Sequence, residues 1–136
     1  MKPTIHGVAN IRPAPNSRAV YEWLRSVEGA YDIRWPGFSG MVSFRHPEAV
    51  RIASSTKVFA CAESLGGVES LIEVPQAMTH GSVEGSAAAV PADLVRLSCG
   101  IEAPEDLVDD LRIAIERAAK SVSARPQRSA AGHAMR

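Results

Sequence analysis

Two hydrophobic rhythms run along the chain. Val20, Trp23, Leu24 and Val27 recur at intervals of three and four, which predicts a helix with one apolar face. Asn16 or Ser17 is the expected cap and Gly29 the expected stop. A longer stripe of the same period joins Leu107, Val108, Leu111, Ala114, Ile115 and Ala118. Pro104 suits the first turn of that helix, where its missing N–H is no loss. Glu105 and Asp106 favour the positive end of the helix dipole, and Arg117 and Lys120 the other end.

Between these helices the pattern shortens. Tyr31 to Trp35 alternates like a strand and stops at Pro36-Gly37. Met41 to Phe44 is apolar on both parities, so it is expected to be buried on both faces. Glu48 to Ser54 predicts a short helix with Ala49, Val50 and Ile52 inward. Val58 to Ala62, Val68 to Val74 and Leu94 to Cys99 are further strand candidates, the last with Arg96 at its middle. Residues 76 to 91 are rich in Ser, Gly and Ala and are expected to form a loop, with a helical turn at Ser86 to Ala89.

This order predicts an α/β fold of the α+β sandwich type, with helices packed on a mostly antiparallel sheet. The expected organisation is an irregular leader at 1–15, one domain at 16–120 and a polar, disordered tail at 121–136.

Length and charge narrow the function. A chain of 136 residues supports one small core. Lys plus Arg and Asp plus Glu are 15 each, so no basic excess points to nucleic acid or a membrane surface. No apolar run approaches the length of a spanning helix, and the N-terminus has no signal-type segment, so a cytoplasmic protein is expected. Cys61 and Cys99 fit that compartment as free thiols, and no histidine cluster accompanies them to make a metal site.

Three motifs carry the reading further. They are Ala62-Glu63-Ser64-Leu65-Gly66-Gly67-Val68-Glu69-Ser70-Leu71, Pro75-Gln76-Ala77-Met78-Thr79-His80, and Leu94 to Glu102 followed by Glu105-Asp106-Leu107. In this order and spacing they resemble the C-terminal domain of the Cys/Met-metabolism pyridoxal-phosphate enzymes, the family of cystathionine γ-lyase and cystathionine γ-synthase. The resemblance runs from about Met41 to Ala118. It implies the small C-terminal domain of a fold-type I transferase, acting in carbon–sulfur lyase or transferase chemistry of cysteine and methionine metabolism (transsulfuration). Pyridoxal 5'-phosphate is the implied cofactor and a sulfur amino acid such as cystathionine the implied substrate.

The site residues follow position by position. Arg96 matches the arginine that grips the substrate α-carboxylate. A planar guanidinium suits that task, since it makes two parallel hydrogen bonds and keeps its charge. An arginine in an apolar strand needs a partner, since burying an unpaired charge is costly; the alternative to the substrate role is a salt bridge to a local carboxylate such as Glu63 or Glu102, and with the resemblance the substrate role is preferred. Ser64 matches the serine beside the cofactor and its lysine, where a hydroxyl can donate and accept as a proton moves. Glu63 matches a position near the substrate side chain, and Thr79 one at the entrance. His80 is read as a loop residue, and Gly66-Gly67 as serving backbone geometry.

The sequence also departs from the family. The family's lysine, pyridine-facing aspartate and phosphate-binding groups lie in a larger preceding domain, which the 40 residues before Met41 cannot hold. Ser54-Ser55-Thr56-Lys57 mimics a cofactor-lysine motif, but Lys57 stands too near Ala62 and is read as a solvated lysine. In Trp35-Pro36-Gly37-Phe38-Ser39-Gly40-Met41 the two ends of a family helix meet directly, as if the helix were lost. The chain is therefore expected to be inactive alone. It is read as a truncated remnant, as a partner for a separate cofactor domain, or as a non-catalytic amino-acid-binding domain, with homo-oligomers open.

Overall fold

The computed structural model describes residues 14–62, 68–78 and 90–124. Helix α1 (Ala14–Leu24) leads into strands β1 (Tyr31–Arg34) and β2 (Met41–Arg45). Helix α2 (Ala49–Ser55), strands β3 (Ala60–Cys61) and β4 (Leu71–Glu73), and the short helix α3 (Pro75–Met78) follow. Strand β5 (Leu94–Ser98) and the long helix α4 (Pro104–Ala124) complete the order.

The five strands form one sheet in the order β1-β2-β5-β4-β3. All pairings are antiparallel except β3 with β4. The α/β reading with a mostly antiparallel sheet is therefore what the structure has. In β5, Val95 and Leu97 are fully buried, while Leu94 and Arg96 on the other parity are only half-buried. Val42, Phe44 and Ile72 join the buried face, which meets Val20 and Leu24 of α1, Ile52 of α2 and Leu107 and Leu111 of α4. Each such side chain contributes about 1.5–3 kcal/mol through burial.

Several expectations are corrected. Asn16 and Ser17 lie inside α1 and do not cap it; both reach outward. Asn16 Nδ2 donates to the Gly100 carbonyl at 2.9 Å and also to that of Glu102, and Ser17 Oγ donates to the Ser39 carbonyl at 2.6 Å. Strand β2 is buried on one face only, because no second layer covers Met41, Ser43 and Arg45 among the described residues. Val50 points to solvent at 54 % exposure, and Ala53 takes the inward position beside Ala49 and Ile52. The strand expected at Val58 to Ala62 shrinks to two exposed residues, with Phe59 buried just before it. Pro75 to Met78 forms a helical turn where a loop was expected. The turn expected at Ser86 to Ala89 lies outside the described residues, as do Gly66 and Gly67. Helix α4 continues to Ala124, beyond the expected end of its stripe.

Carboxylates fasten the segments around the sheet. Asp110, buried on α4, accepts the main-chain N–H groups of Lys57, Val58 and Phe59 at 2.7, 2.8 and 2.9 Å. This is how the short edge strand is anchored despite having so little ladder of its own. Glu102 accepts the Ser70 hydroxyl at 2.6 Å and the Ser70 N–H at 3.2 Å. The same hydroxyl accepts the Gly100 N–H at 2.8 Å. Gly100 permits that crossing, since a Cβ there would stand 2.0 Å from the Val68 carbonyl oxygen.

Candidate functional site

The face of the sheet away from α1, α2 and α4 carries Ser43, Arg96 and Glu73 side by side. Register makes them neighbours: Arg96 on β5 stands opposite Ser43 on β2 and opposite Glu73 on β4. The Arg96 Nε lies 3.5 Å from Glu73 Oε2, with the arginine side chain 43 % exposed and the glutamate 4 % exposed. Of the two local carboxylates named from the sequence, Glu102 binds Ser70 and Glu63 lies outside the described residues; Glu73 is the described carboxylate that meets Arg96.

Arg96 borders a cleft of about 570 Å³, which also includes Ile33, Met41, Ser43 and Leu94 from the sheet, Trp35 just after β1 and Tyr21 of α1. That volume is in the range of small-molecule sites. Its walls are mainly apolar and its charge comes from guanidinium groups, so an anionic group with an apolar body is the matching chemistry. Sequence reasoning named Arg96 and did not name Trp35, Met41, Ser43 or Glu73 as its surroundings. The signal was present in the alternation of β2 and β5, which places Met41, Ser43, Leu94 and Arg96 on one parity once the two strands are paired.

Glu63, Ser64, Thr79 and His80 lie outside the described residues. Arg96 is therefore the sequence-predicted site residue that the structure places. Lys57 and Lys120 are exposed, and neither borders the cleft. Lys57 is instead drawn in by its main chain, whose N–H meets Asp110. The described residues thus bring no lysine amine to the cleft and do not by themselves fit pyridoxal phosphate there. Among the described residues no group of three or more His, Cys, Asp or Glu side chains could hold a metal ion, and no helix is long and apolar enough to cross a membrane.

Cys99 is buried in the core and Cys61 is exposed, both as free thiols. Burial, reinforced by the Glu102 carboxylate, pushes the Cys99 thiol up to about 12. Burial also raises the Glu102 carboxyl, but hydrogen bonds from the Ser70 hydroxyl and main-chain N–H groups outweigh it and hold the group below its ordinary range.

The chain is similar to known proteins in sequence and fold. The family model described as Cys/Met metabolism PLP-dependent enzyme matches residues 16–116. Cystathionine gamma-synthase of Mycobacterium tuberculosis (strain ATCC 25618 / H37Rv) is 58 % identical over 124 residues, covering 76 % of this chain and 32 % of that protein. Cystathionine gamma-lyase of Saccharomyces cerevisiae is 49 % identical over 86 residues, covering 58 % of this chain and 22 % of the relative. The crystal structure of metB from Corynebacterium glutamicum superposes with a TM-score of 0.74 at 39 % identity, over 78 % of this chain and 33 % of that one. Yeast cystathionine gamma-lyase gives a TM-score of 0.72 at 36 % identity, over 79 % and 34 %. The chain spans about a third or less of the length of these relatives. The mycobacterial alignment extends over 124 residues yet uses 76 % of this chain's 136, so the relative's segment is the longer of the two. By the extent of the matched family model and by identity to its members, the chain belongs to the Cys/Met-metabolism PLP-dependent enzymes.

Proposed function

We propose that this chain is the substrate-gripping part of a cystathionine γ-lyase- or γ-synthase-like enzyme, with Arg96 holding the α-carboxylate of a sulfur amino acid such as cystathionine. The observation that carries the reading is the half-exposed Arg96 guanidinium, set in an apolar strand at the edge of the cleft and leaning on the buried Glu73. A charge placed there costs solvation unless it meets an anion, and Glu73 comes nearest to it at Nε, 3.5 Å away. Ser64, Glu63 and Thr79 are proposed to face the cofactor and substrate from the flanking segments. Pyridoxal phosphate, when bound by the family, withdraws electrons from the substrate's α-carbon; this chain's part is to orient the carboxylate. We further propose the domain limits 16–120, a cytoplasmic setting, and no turnover by this stretch of chain alone.

The test mixes the purified chain with pyridoxal phosphate and cystathionine and follows internal-aldimine absorbance and product. The expected result is no site-specific aldimine and no turnover. A stable aldimine with cystathionine cleavage would refute the inactive reading.

A second reading rests on the same uncovered sheet face: the chain completes a separately supplied cofactor domain, as a hetero- or homo-oligomer. Co-expression with a cofactor domain of this family, cut at the residue matching Asn16, would yield a co-purifying active complex if this holds. Separate elution of the two would count against it.

A further inference from the structure

The cleft beside Arg96 has a wall that is built before anything binds. The Trp35 indole N–H donates to the Ser39 carbonyl at 2.7 Å. The Tyr21 ring lies 5.6 Å away at a 41° tilt, and the Arg18 guanidinium sits 5.4 Å from the ring centroid. The Ser39 hydroxyl in turn accepts the Met41 N–H at 3.1 Å, so the turn that carries Trp35 is pinned to the start of β2. Met41 and Leu94 continue the apolar surface as far as Arg96.

The polar side of the cleft is equally specific. Arg96 comes nearest Glu73 through Nε, at 3.5 Å, with its side chain 43 % exposed. Its two terminal nitrogens form the edge that takes a carboxylate side-on. Arg34, the other cation of the cleft, is already paired with Asp32 at 2.9 Å. Glu73 is nearly fully buried beside Arg96, and among the described residues that line the cleft there is no carboxylate.

We propose that this cleft, on this chain alone, binds a monocarboxylate with a flat apolar body: the carboxylate on the terminal nitrogens of Arg96, the body against Trp35, Met41 and Leu94. The proposal rests on the reading of Arg96 as a carboxylate grip and adds the class of body that the grip accepts without a cofactor. A preformed wall lowers the ordering cost of binding, and a flat ring uses the indole face.

The test is a titration of the isotope-labelled chain with 3-phenylpropionate, propionate and 3-phenylpropionamide, followed by nuclear magnetic resonance. The Trp35 indole N–H and the Arg96 Nε–H are the reporters, with Trp35→Phe used to assign the former. Expected is saturable movement of both signals with 3-phenylpropionate, and at least roughly tenfold weaker binding of propionate and of the amide. Arg96→Lys keeps a cation beside Glu73, and so the fold, but loses the side-on geometry; it is expected to weaken 3-phenylpropionate roughly tenfold. Leu94→Gln should weaken it while leaving propionate unchanged. If propionate binds as well as 3-phenylpropionate, the apolar-body inference falls while the grip stands. If the amide binds equally, or Arg96→Lys changes nothing, the carboxylate grip falls too. Absence of saturation by 3-phenylpropionate at millimolar concentration overturns the inference.

Discussion

Arg96 and Glu73 face each other across β5 and β4, 3.5 Å apart, with the glutamate buried and the arginine half in water. The burden of the pair therefore falls on Glu73, whose carboxylate is shut away from solvent. Arg96→Leu should leave that charge without its cation and cost about 1–3 kcal/mol. Arg96→Lys should cost less, because a cation remains. Urea midpoints for the two variants test the ordering; equal midpoints for wild type and Arg96→Leu would show that the pair adds nothing to the fold.

Asp110 is the second buried carboxylate with a task that can be measured. Asp110→Ala removes the acceptor for three main-chain N–H groups and is expected to cost about 3 kcal/mol or more. Hydrogen exchange should quicken most at Lys57, Val58 and Phe59. Uniform loss of protection across the sheet, without a local maximum there, would contradict the anchoring role.

His46 makes the fold sensitive to mild acid. Its Nδ1 accepts the Glu48 N–H at 2.9 Å, and burial pulls its pKa below the ordinary 6.5 against the opposing pull of Glu48. The unfolded chain therefore takes up the proton first as pH falls. The stability is whole above about 6.5 and declines as pH drops from there towards the lower folded value. Urea midpoints measured from pH 8 to pH 5 should show a slope below 6.5 that His46→Asn flattens, since the amide oxygen can accept the same N–H.

The two thiols should differ sharply. Cys61 is exposed on the edge strand, while Cys99 is 1 % exposed and its thiol is pushed up to about 12. A disulfide reagent at pH 8 should label Cys61 quickly and Cys99 only at the rate of unfolding. Rapid labelling of both in the native chain would contradict the burial of Cys99.

Gly100→Ala tests the chain crossing at the end of β5. The added methyl has the Val68 carbonyl oxygen 2.0 Å away and cannot fit without moving main chain. A loss of about 2–4 kcal/mol is expected, read as a fall in the urea midpoint.

Legibility in the sequence followed the strength of the local signal. Helix α4 could be read at once, because Pro104, two acids and a six-position stripe agree. Asp110 was missed because a charged residue beside a stripe looks solvated, and only the distant 57–59 segment reveals its use. Asn16 and Ser17 misled for a related reason: their residue types suit a cap, while their actual partners lie 84 and 22 residues away. Val50 points outward because a seven-residue helix turns too few times for a stripe to choose between neighbouring faces. For the site, Arg96 stood out as a charge in an apolar strand. Glu73 became its neighbour only through strand pairing, and Trp35 joined its cleft only through the folded chain, neither of which a local pattern encodes.

The bond from Asn16 to Gly100 spans 84 residues, and Asp110 reaches back across more than 50 to the start of β3. Synthesis proceeds from the N-terminus, so α1 leaves the ribosome long before the groups that satisfy it exist. Until α4 emerges, α1 and α2 lack the helix they pack against and the edge strand lacks its anchor. The nascent chain must therefore wait, open and prone to association, for α4. Folding should begin only when that helix is free, and the loop closures this requires make it slow for a chain of this size.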